Sequence, residues 1–261
     1  MQRLFGLTLV GMCTLAMASE AGAVTLQGRI RDFCAPSTDT CTQLSDFEGA
    51  VPGLVTGMVD STLTNGVPTA GPNIAAGASS AENLARWYAD SPGYNLGQNF
   101  SLELTETSPG VFSYSSSSFF PIDGELYGNQ GRSHNYHFTL QLGGELSFDD
   151  PTSGPDYNFA FTGDDDLWVF VDGMLAMDLG GVHGAVSDSF SEETLKALGL
   201  AAGQTYSLDI FFAERHTSAS NFNITTSLLI GPPPPQVPEP GTIALLALGL
   251  AGIGIARRSS A

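Results

Sequence analysis

An acidic turn followed by a short apolar run constrains the fold of this chain more than any other segment does. Three aspartates stand in succession at residues 164–166, and the run 167–171 follows directly. Because the run is rich in β-branched and aromatic residues, it predicts a strand buried on both faces. Asp172 and Gly173 after it are a strong signal for a two-residue hairpin. Neighbouring carboxylates repel one another, so a fold that fixes them needs solvent, a turn that uses their oxygens, or a bound cation.

The N-terminal end has the pattern of a signal peptide. Arg3 precedes an apolar run over residues 4–18, and the small residues 21–23 provide a signal-peptidase site. We therefore expect signal peptidase to remove residues 1–23 and the mature chain to begin at Val24.

Cysteine usage agrees with an exported protein. Cys13 would leave with the signal peptide, and Met12 before it is bulkier than the residue that a lipid-attachment site normally has there, which disfavours a lipoprotein. The spacing of Cys34 and Cys41 fits a disulfide worth about 2–3 kcal/mol in a loop-entropy model. A metal site at these thiols is the weaker alternative, because two ligands do not complete a tetrahedron.

The C-terminal end, residues 232–261, has three parts in a fixed order. A proline-rich linker over 232–241 precedes an apolar segment over 242–256, and Arg257 and Arg258 close that segment. The apolar segment has 15 residues, short of the roughly 20 that a comfortable spanning helix needs. We therefore expect transient membrane association rather than stable anchoring.

This tail resembles the PEP-CTERM sorting signal of Gram-negative bacteria that make extracellular polysaccharide. The motif residues are Pro238, Glu239 and Pro240. The resemblance implies export across the inner membrane, an inner-membrane intermediate with the arginines inside, cleavage near the motif by an exosortase, and delivery to the cell surface or extracellular matrix. An ordinary C-terminal membrane anchor is the alternative.

The residues between these ends, 24–231, suffice for one large hydrophobic core. The chain has 31 glycines, 15 prolines and 16 phenylalanines but a single lysine, Lys196, which favours strands and turns over long solvated helices. Only two segments look helical: 79–89, where Ser79 or Ser80 can cap the first turn, and 191–198. The composition therefore predicts an all-β domain with one or two short helices.

Alternating apolar residues mark further strands. They alternate over 99–105 and 136–142, which predicts strands with one buried face. Two more strands, over 208–212 and 222–230, flank a polar loop at 214–221. Strands separated by turns at this density predict a two-sheet antiparallel β-sandwich whose connecting loops gather at its ends. The acidic turn and the polar loop are then the candidate functional loops.

The net charge of −18 excludes some partners. Binding nucleic acid through its phosphates requires clustered lysine and arginine, which this chain lacks, and an anionic membrane surface is disfavoured for the same reason. Excess carboxylates are compatible with Ca²⁺ binding outside the cell, where the ion is abundant. Solubility alone is the plainer explanation.

Seven sequence blocks in one order resemble the fibro-slime family over nearly the whole mature domain. They are Arg31-Asp32-Phe33; Arg86-Trp87-Tyr88 with Ser91-Pro92-Gly93; Phe119-Phe120-Pro121-Ile122-Asp123-Gly124; His134-Asn135-Tyr136-His137-Phe138; residues 161–173; residues 178–183; and Phe212-Ala213-Glu214-Arg215-His216-Thr217 with Ser220-Asn221-Phe222. The family is similar to the protective-antigen-type, lectin-like β-sandwich, which is generally associated with carbohydrate binding. One departure is mild, since the family often has Asn where this chain has Asp172.

The resemblance also implies a Ca²⁺ site. Lectin members of the wider sandwich family bind Ca²⁺ through two consecutive aspartates before a hairpin, and Asp164 and Asp165 match that position. Such neighbours share an ion only with a distorted backbone, typically a cis peptide. Two carboxylates are too few for Ca²⁺, so we expect Asn221, Ser220 and backbone carbonyls to complete the site. The alternative is a solvated turn whose oxygens accept backbone hydrogen bonds.

Six further residues are candidates for ligand binding near the acidic turn. They are Asp166, His183, Glu214, Arg215, His216 and Ser220. A structural role is slightly favoured for Arg215, which can pair with a carboxylate such as Asp178 and lock two loops. His134 and His137 stand three apart in an expected strand, so they face opposite sides and make a poor joint metal site.

Three classes of function remain. The first is a non-catalytic, exported surface or matrix protein that binds exopolysaccharide or another glycan, with Ca²⁺ as the candidate cofactor. The second is a structural or adhesive protein that binds other surface proteins without a sugar site. The third is a glycosidase using Asp164 or Asp165 with Glu214, which is disfavoured because no carboxylate pair has an evident acid and nucleophile environment.

Overall fold

The computed structural model describes residues 22–35, 41–49, 53–149 and 157–233. Strands dominate this part of the chain, with three short helices between them. In chain order the elements are β1 (Ala23–Phe33), α1 (Ile74–Gly77), α2 (Ala81–Trp87), β2 (Asn95–Ser108), β3 (Val111–Ser116), β4 (Phe138–Ser147), β5 (Asn158–Gly163), β6 (Asp166–Val171), β7 (Met174–Leu179), β8 (Val186–Ser191), α3 (Glu192–Ala197), β9 (Thr205–Glu214), β10 (Phe222–Thr226) and β11 (Leu229–Gly231).

All strand pairs are antiparallel, in the order β7-β6-β9-β4-β1-β2-β3-β10-β5-β8, with β11 added beside β4. The sheet folds back on itself, because one core cluster takes residues from both ends of this order. Phe212 of β9 and Phe222 of β10, for example, meet with ring centroids 5.1 Å apart. The predicted all-β sandwich is confirmed. Its two layers are joined through the β2–β3 hairpin rather than forming separate sheets.

Strand β6 is buried on both faces, as its apolar run predicts. Leu167, Val169 and Val171 point into the core between the layers. Trp168 and Phe170 point outward, where a second cluster of apolar residues covers them. This outer cluster contains Phe33, Phe211 and Ala213 from the sheet and, from the segment over 44–88, Leu44, Phe47, Met58, Val59, Ala78, Leu84, Trp87 and Tyr88. The 44–88 segment therefore covers part of the outer face of the sheet.

The hairpin between β6 and β7 has the predicted turn. Asp172 and Gly173 have φ angles of 51° and 72°, the left-handed conformations that a two-residue hairpin of this kind requires. The Asp172 backbone N–H also donates to the Ser207 carbonyl, at 3.0 Å. Asp172 is thus a turn residue, at the opposite end of β6 from Asp164 and Asp165.

Helices α2 and α3 match the two predicted helical segments to within a few residues. The Ser80 hydroxyl accepts a hydrogen bond from the Asn83 N–H and caps α2, and Ser191 forms a capping box at the start of α3. The short helix α1 was not predicted. In the described part of the chain, no helix is long and apolar enough to cross a membrane. The expected signal peptide and the segment 242–256 lie outside the described residues.

Two smaller expectations concern the cysteines and histidines. Cys34 and Cys41 form a disulfide with Cα atoms 5.8 Å apart. His134 and His137 precede β4 instead of lying in it, yet they do have separate surroundings. His134 stacks on Phe120 with ring centroids 4.0 Å apart, whereas His137 is buried and contacts Glu48.

A buried carboxyl in β1 makes stability depend on pH. Burial raises the pKa of Asp32 from 3.8 to about 7, although the Tyr127 N–H donates to it at 2.8 Å. Between these two pKa values the folded chain holds a proton that the unfolded chain releases. The free energy of unfolding should therefore fall as pH rises from about 4 to 7, by up to about 1.4 kcal/mol per pH unit from this residue.

Asp32→Asn should remove that contribution. We expect its free energy of unfolding, measured by urea titration between pH 5 and 8, to fall less steeply with pH than that of the parent chain. Asp60→Asn, at an exposed carboxylate, is the matched control and should keep the parent slope. Parallel curves for the parent and Asp32→Asn would contradict the assignment.

Candidate functional site

The topology brings the two candidate loops together at one end of the sandwich. Asp164 and Asp165 connect β5 in one layer to β6 in the other. The loop 214–221 also connects the two layers. The strand before it, β9, pairs with β6, and the strand after it, β10, pairs with β5. The two connections therefore run side by side.

Asp164 hydrogen-bonds to Asn221 of the loop 214–221. Its Oδ2 accepts hydrogen bonds from the backbone N–H of Asn221 at 3.0 Å and from the Asn221 side-chain amide at 2.6 Å. The Asp164 N–H donates to the Asn221 carbonyl in return, at 3.2 Å. The predicted association of Asp164 with Asn221 is present in the structure.

Asp165 adopts a left-handed conformation, with φ of 55°, an uncommon conformation for a residue other than glycine. Its N–H donates to the His183 carbonyl at 3.0 Å, and its Oδ2 accepts from the N–H groups of Arg215 and His216 at 2.7 and 3.1 Å. No cis peptide occurs among the described residues. A left-handed residue between two strands, rather than a cis bond within one, therefore redirects the backbone here.

Asp166 and Arg215 form a buried ion pair, and both side chains are fully inaccessible. The Arg215 guanidinium donates to Asp166 through Nε at 2.6 Å and Nη2 at 3.2 Å, and Asp166 also accepts from the Gly181 N–H at 2.6 Å. Both residues therefore have a structural role here, and their direct contact with a ligand stays a prediction. The expected pairing of Arg215 with a carboxylate is correct, but the carboxylate is Asp166 and not Asp178.

Arg215 extends this pair into the segment that covers the outer face. Its Nη1 donates to the carbonyls of Gly77 and Asp46, at 2.7 and 3.3 Å, and its guanidinium lies over the Trp87 ring at 4.8 Å. Glu48 adds a second connection, because it accepts from the Thr217 N–H at 2.9 Å. These contacts between the loop 214–221 and the 44–88 segment fix the position of the loop.

A surface hollow of about 210 Å³ opens beside Asp164 and Asp165. Among the predicted ligand residues, His183 and His216 line it together with the two aspartates. Sequence reasoning missed its other lining residues, which are Val182, Gly184, Ser218 and Ala219. Each of these stands in or beside a block that the family resemblance marks, but nothing in the residue types identifies them.

Glu214 and Ser220 lie behind the loop and not in the hollow. Both are fully buried and do not line the hollow, and their direct contact with a ligand stays a prediction. Glu214 Oε2 and Ser220 Oγ lack hydrogen-bond partners among the described residues. Burial raises the pKa of Asp165 to about 6, and burial together with the charge on Asp165 raises that of Glu214 well above its usual range. These two carboxyl groups therefore retain a proton at a pH where exposed carboxyls are ionised.

The site offers oxygen ligands of the kind that Ca²⁺ prefers, but only a partial set. Asp164, Asp165 and Asn221 supply carboxylate and amide oxygens, and the orphaned oxygens of Glu214 and Ser220 lie just behind. Across the described ranges, no three His, Cys, Asp or Glu side chains are already arranged to hold a metal ion. Backbone carbonyls and water would have to supply the remaining ligands of a six- to eight-coordinate ion.

Comparison with known protein families gives two matches. Residues 123–234 match the PA14 domain, and residues 236–258 match the PEP-CTERM protein-sorting motif. The first match covers β4–β11 and both candidate loops. Together these matches confirm the two resemblances drawn from the sequence.

Three relatives from Dictyostelium discoideum are similar over part of their length. Protein psiQ is 34% identical over 206 residues, psiD is 39% identical over 150 residues, and psiE is 32% identical over 210 residues. The alignments cover 72%, 54% and 71% of this chain but only 20%, 28% and 40% of the relatives. This chain therefore corresponds to a part of each relative.

Similar solved structures include two PA14 domains. One is the PA14 domain of an antifreeze protein, MpAFP, at 10% identity and a TM-score of 0.34, covering 86% of this chain and all of that domain. The other is a PA14 sugar-binding domain from an RTX adhesin, at 14% identity and a TM-score of 0.29, covering 46% of this chain and 76% of that one.

Proposed function

We propose that this chain, in which a PA14 domain at residues 123–234 precedes a PEP-CTERM protein-sorting motif, is a non-catalytic surface or matrix protein that binds carbohydrate. The sorting motif indicates export to the cell surface. The hollow beside Asp164 and Asp165 is the proposed sugar site, with Ca²⁺ held by the two carboxylates and Asn221.

The observation that carries this proposal is the position of two fixed carboxylates at the edge of a hollow whose lining also includes His183, His216 and Ser218. Asp164 and Asp165 are held by backbone donors of the loop 214–221, so little ordering is needed when an ion binds. A bound Ca²⁺ would supply positive charge to an acidic surface and open coordination positions for sugar hydroxyls. His216 and Ser218 line the hollow and can hydrogen-bond to the same sugar, whereas both ring nitrogens of His183 already contact the carbonyls of Gly184 and Leu179.

Burial of Glu214 supports a non-catalytic role. A glycosidase needs two carboxyl groups that both reach the scissile bond. Here Glu214 is fully buried and Asp166 is paired with Arg215, so neither can contact a substrate in the hollow.

We also propose that an exosortase releases the chain, because the sorting motif at residues 236–258 is of the kind that such an enzyme processes.

A glycan array tests the proposed function. We expect the full chain to retain a subset of glycans in Ca²⁺ and to lose them in EDTA. Asp165→Asn should abolish retention, because the amide has one oxygen and no negative charge to offer the ion. Asp172→Asn makes the same chemical change at the other end of β6 and should bind like the parent chain.

Three outcomes would contradict the proposal. A blank array combined with capture of surface proteins would favour the adhesive alternative. Glycan retention unaffected by EDTA or by Asp165→Asn would show that sugar binding does not depend on Ca²⁺ at this site. Hydrolysis of a retained glycan, lost in Glu214→Gln, would favour a glycosidase.

A further inference from the structure

Glu48 lies on the 44–88 segment, outside the residues 123–234 that match the PA14 domain, yet it contacts three successive residues of the loop 214–221. Its backbone N–H donates to the Arg215 carbonyl at 2.9 Å. Its Oε1 accepts from the Thr217 N–H at 2.9 Å, and its Oε2 lies 3.8 Å from Nε2 of His216. Glu48 thus connects the segment to the loop beside the hollow.

These contacts fall on the part of the loop that lines the hollow. His216, Ser218 and Ala219 are lining residues, and Thr217 stands between the first two. The hydrogen bond from the Thr217 N–H to Glu48 therefore fixes the backbone between two residues of the wall. Because the His216 side chain is 39% exposed, packing alone does not hold it, and the Glu48 carboxylate is a charged group beside its ring.

Glu48 is itself held firmly. Its φ is 66°, a left-handed conformation that is uncommon for a residue other than glycine and persists only where the surrounding structure determines it. Nε2 of the buried His137 lies 3.2 Å from Glu48 Oε1, and Nη1 of Arg132 lies 3.8 Å from the same oxygen. Both of these residues precede β4. The carboxylate is therefore fixed against the sandwich on one side and against the loop on the other.

Other contacts hold the candidate Ca²⁺ ligands. Asp164 and Asp165 accept from backbone N–H groups of the loop 214–221 and from the Asn221 amide. None of these hydrogen bonds involves the Glu48 side chain. A change to that side chain should therefore disturb the wall of the hollow at His216 and leave the two carboxylates in place.

We propose that Glu48 is a positioning residue for glycan binding, which holds the His216 ring and the backbone at Thr217 where a sugar in the hollow meets them. This role rests on the proposed sugar site in the hollow. Holding the wall in the bound geometry removes an ordering cost that binding would otherwise include. The glycan site then extends beyond residues 123–234 to the 44–88 segment.

Two variants of the full chain separate the contacts of Glu48. Glu48→Gln keeps an oxygen that accepts from the Thr217 N–H but removes the negative charge beside His216, and Glu48→Ala removes both. We expect glycan affinity to fall about 3-fold in Glu48→Gln and at least about 10-fold in Glu48→Ala, since hydrogen bonds to a charged group are stronger than neutral ones. Glu103→Gln, the same chemical change at an exposed carboxylate on β2, should bind like the parent chain.

Retention on polyacrylamide beads that carry mannose, galactose, glucose, fucose or N-acetylglucosamine measures glycan affinity in Ca²⁺, with uncoated beads as the blank. A calorimetric titration of Ca²⁺ into the same variants measures the ion site. We expect Ca²⁺ affinity to stay at the parent value while glycan affinity falls. A general loss of structure would lower both affinities, so this difference distinguishes positioning from stability. If the parent chain binds sugar without Ca²⁺, an unchanged urea midpoint makes the same distinction.

Three results would overturn the role of Glu48. Parent-like retention of Glu48→Ala on the beads that retain the parent would do so and leave the proposed function intact; where Glu48→Ala does not fold, parent-like retention of Glu48→Gln decides in the same way. Equal losses of glycan and Ca²⁺ affinity, or of glycan affinity and stability, would show that Glu48 only supports the fold. No retention of the parent chain by any bead would contradict the sugar site itself, and the role of Glu48 with it.

Discussion

Arg215→Met should lower the free energy of unfolding by about 3–5 kcal/mol, because it leaves the Asp166 carboxylate buried without its cation. The carbonyls of Gly77 and Asp46 would lose a donor as well. The total free energy of unfolding of an ordinary domain is roughly 5–15 kcal/mol, so this one change removes a large share of it. Urea unfolding of the full chain at neutral pH measures it.

Two further variants separate the buried pair from general effects of losing an arginine. Arg86→Met removes the partner of Glu82 together with a hydrogen bond to Asn83 and a contact with the Tyr94 ring, and should lower the free energy of unfolding by about 1–2 kcal/mol. Combining Arg215→Met with Asp166→Leu should cost less than the sum of the two single changes, because no unpaired charge remains. Equal losses for Arg215→Met and Arg86→Met would show that the buried pair has no special role.

Ca²⁺ at about a hundred times its dissociation constant should stabilise the folded chain by about 2.7 kcal/mol and raise its melting temperature by roughly 5–10 °C. The proposed site exists only in the folded state, where Asp164 and Asp165 are held together, so the ion should not bind the unfolded chain. Asp165→Asn should abolish this shift. Its amide oxygen can still accept from the N–H groups of Arg215 and His216, so the fold without Ca²⁺ should be retained.

Mg²⁺ provides the control for ion identity. It demands near-octahedral geometry and gives up its water reluctantly, so a partial set of two carboxylates and an amide should bind it weakly. A melting temperature that rises equally with either ion, or equally in the parent chain and Asp165→Asn, would indicate a general effect of divalent cations on a chain of charge −18.

Local patterns in the sequence predicted the elements around the site well. The apolar run after Asp166 is a strand buried on both faces, and Asp172 and Gly173 form its hairpin turn. Such features depend on residues close in the chain, which alternation and turn preference describe directly.

Pairing between distant residues was harder to predict. Asp166 is the third of three adjacent aspartates, and nothing in the sequence distinguishes it from its neighbours. Only the left-handed turn at Asp165 and the pairing of β6 with β9 place Asp166 against Arg215. Asp178, the expected partner, lies on β7 and accepts instead from the Trp168 indole at 2.9 Å and the Gly57 N–H at 2.6 Å.

The covering segment over 44–88 also could not be derived from periodicity. Its described residues contain two short helices, and most of the apolar residues that cover the sheet lie outside these helices. Large aromatic residues such as Phe47 and Trp87 were the available signal, since such side chains need something to pack against. This segment decides which part of the outer face is buried.

A calorimetric titration of Ca²⁺ into the full chain tests the central claim most directly. We expect one ion per chain to bind the parent, and binding to disappear in Asp165→Asn while Asp172→Asn binds normally. No binding by the parent chain, or unchanged binding by Asp165→Asn, would contradict a Ca²⁺ site at Asp164 and Asp165.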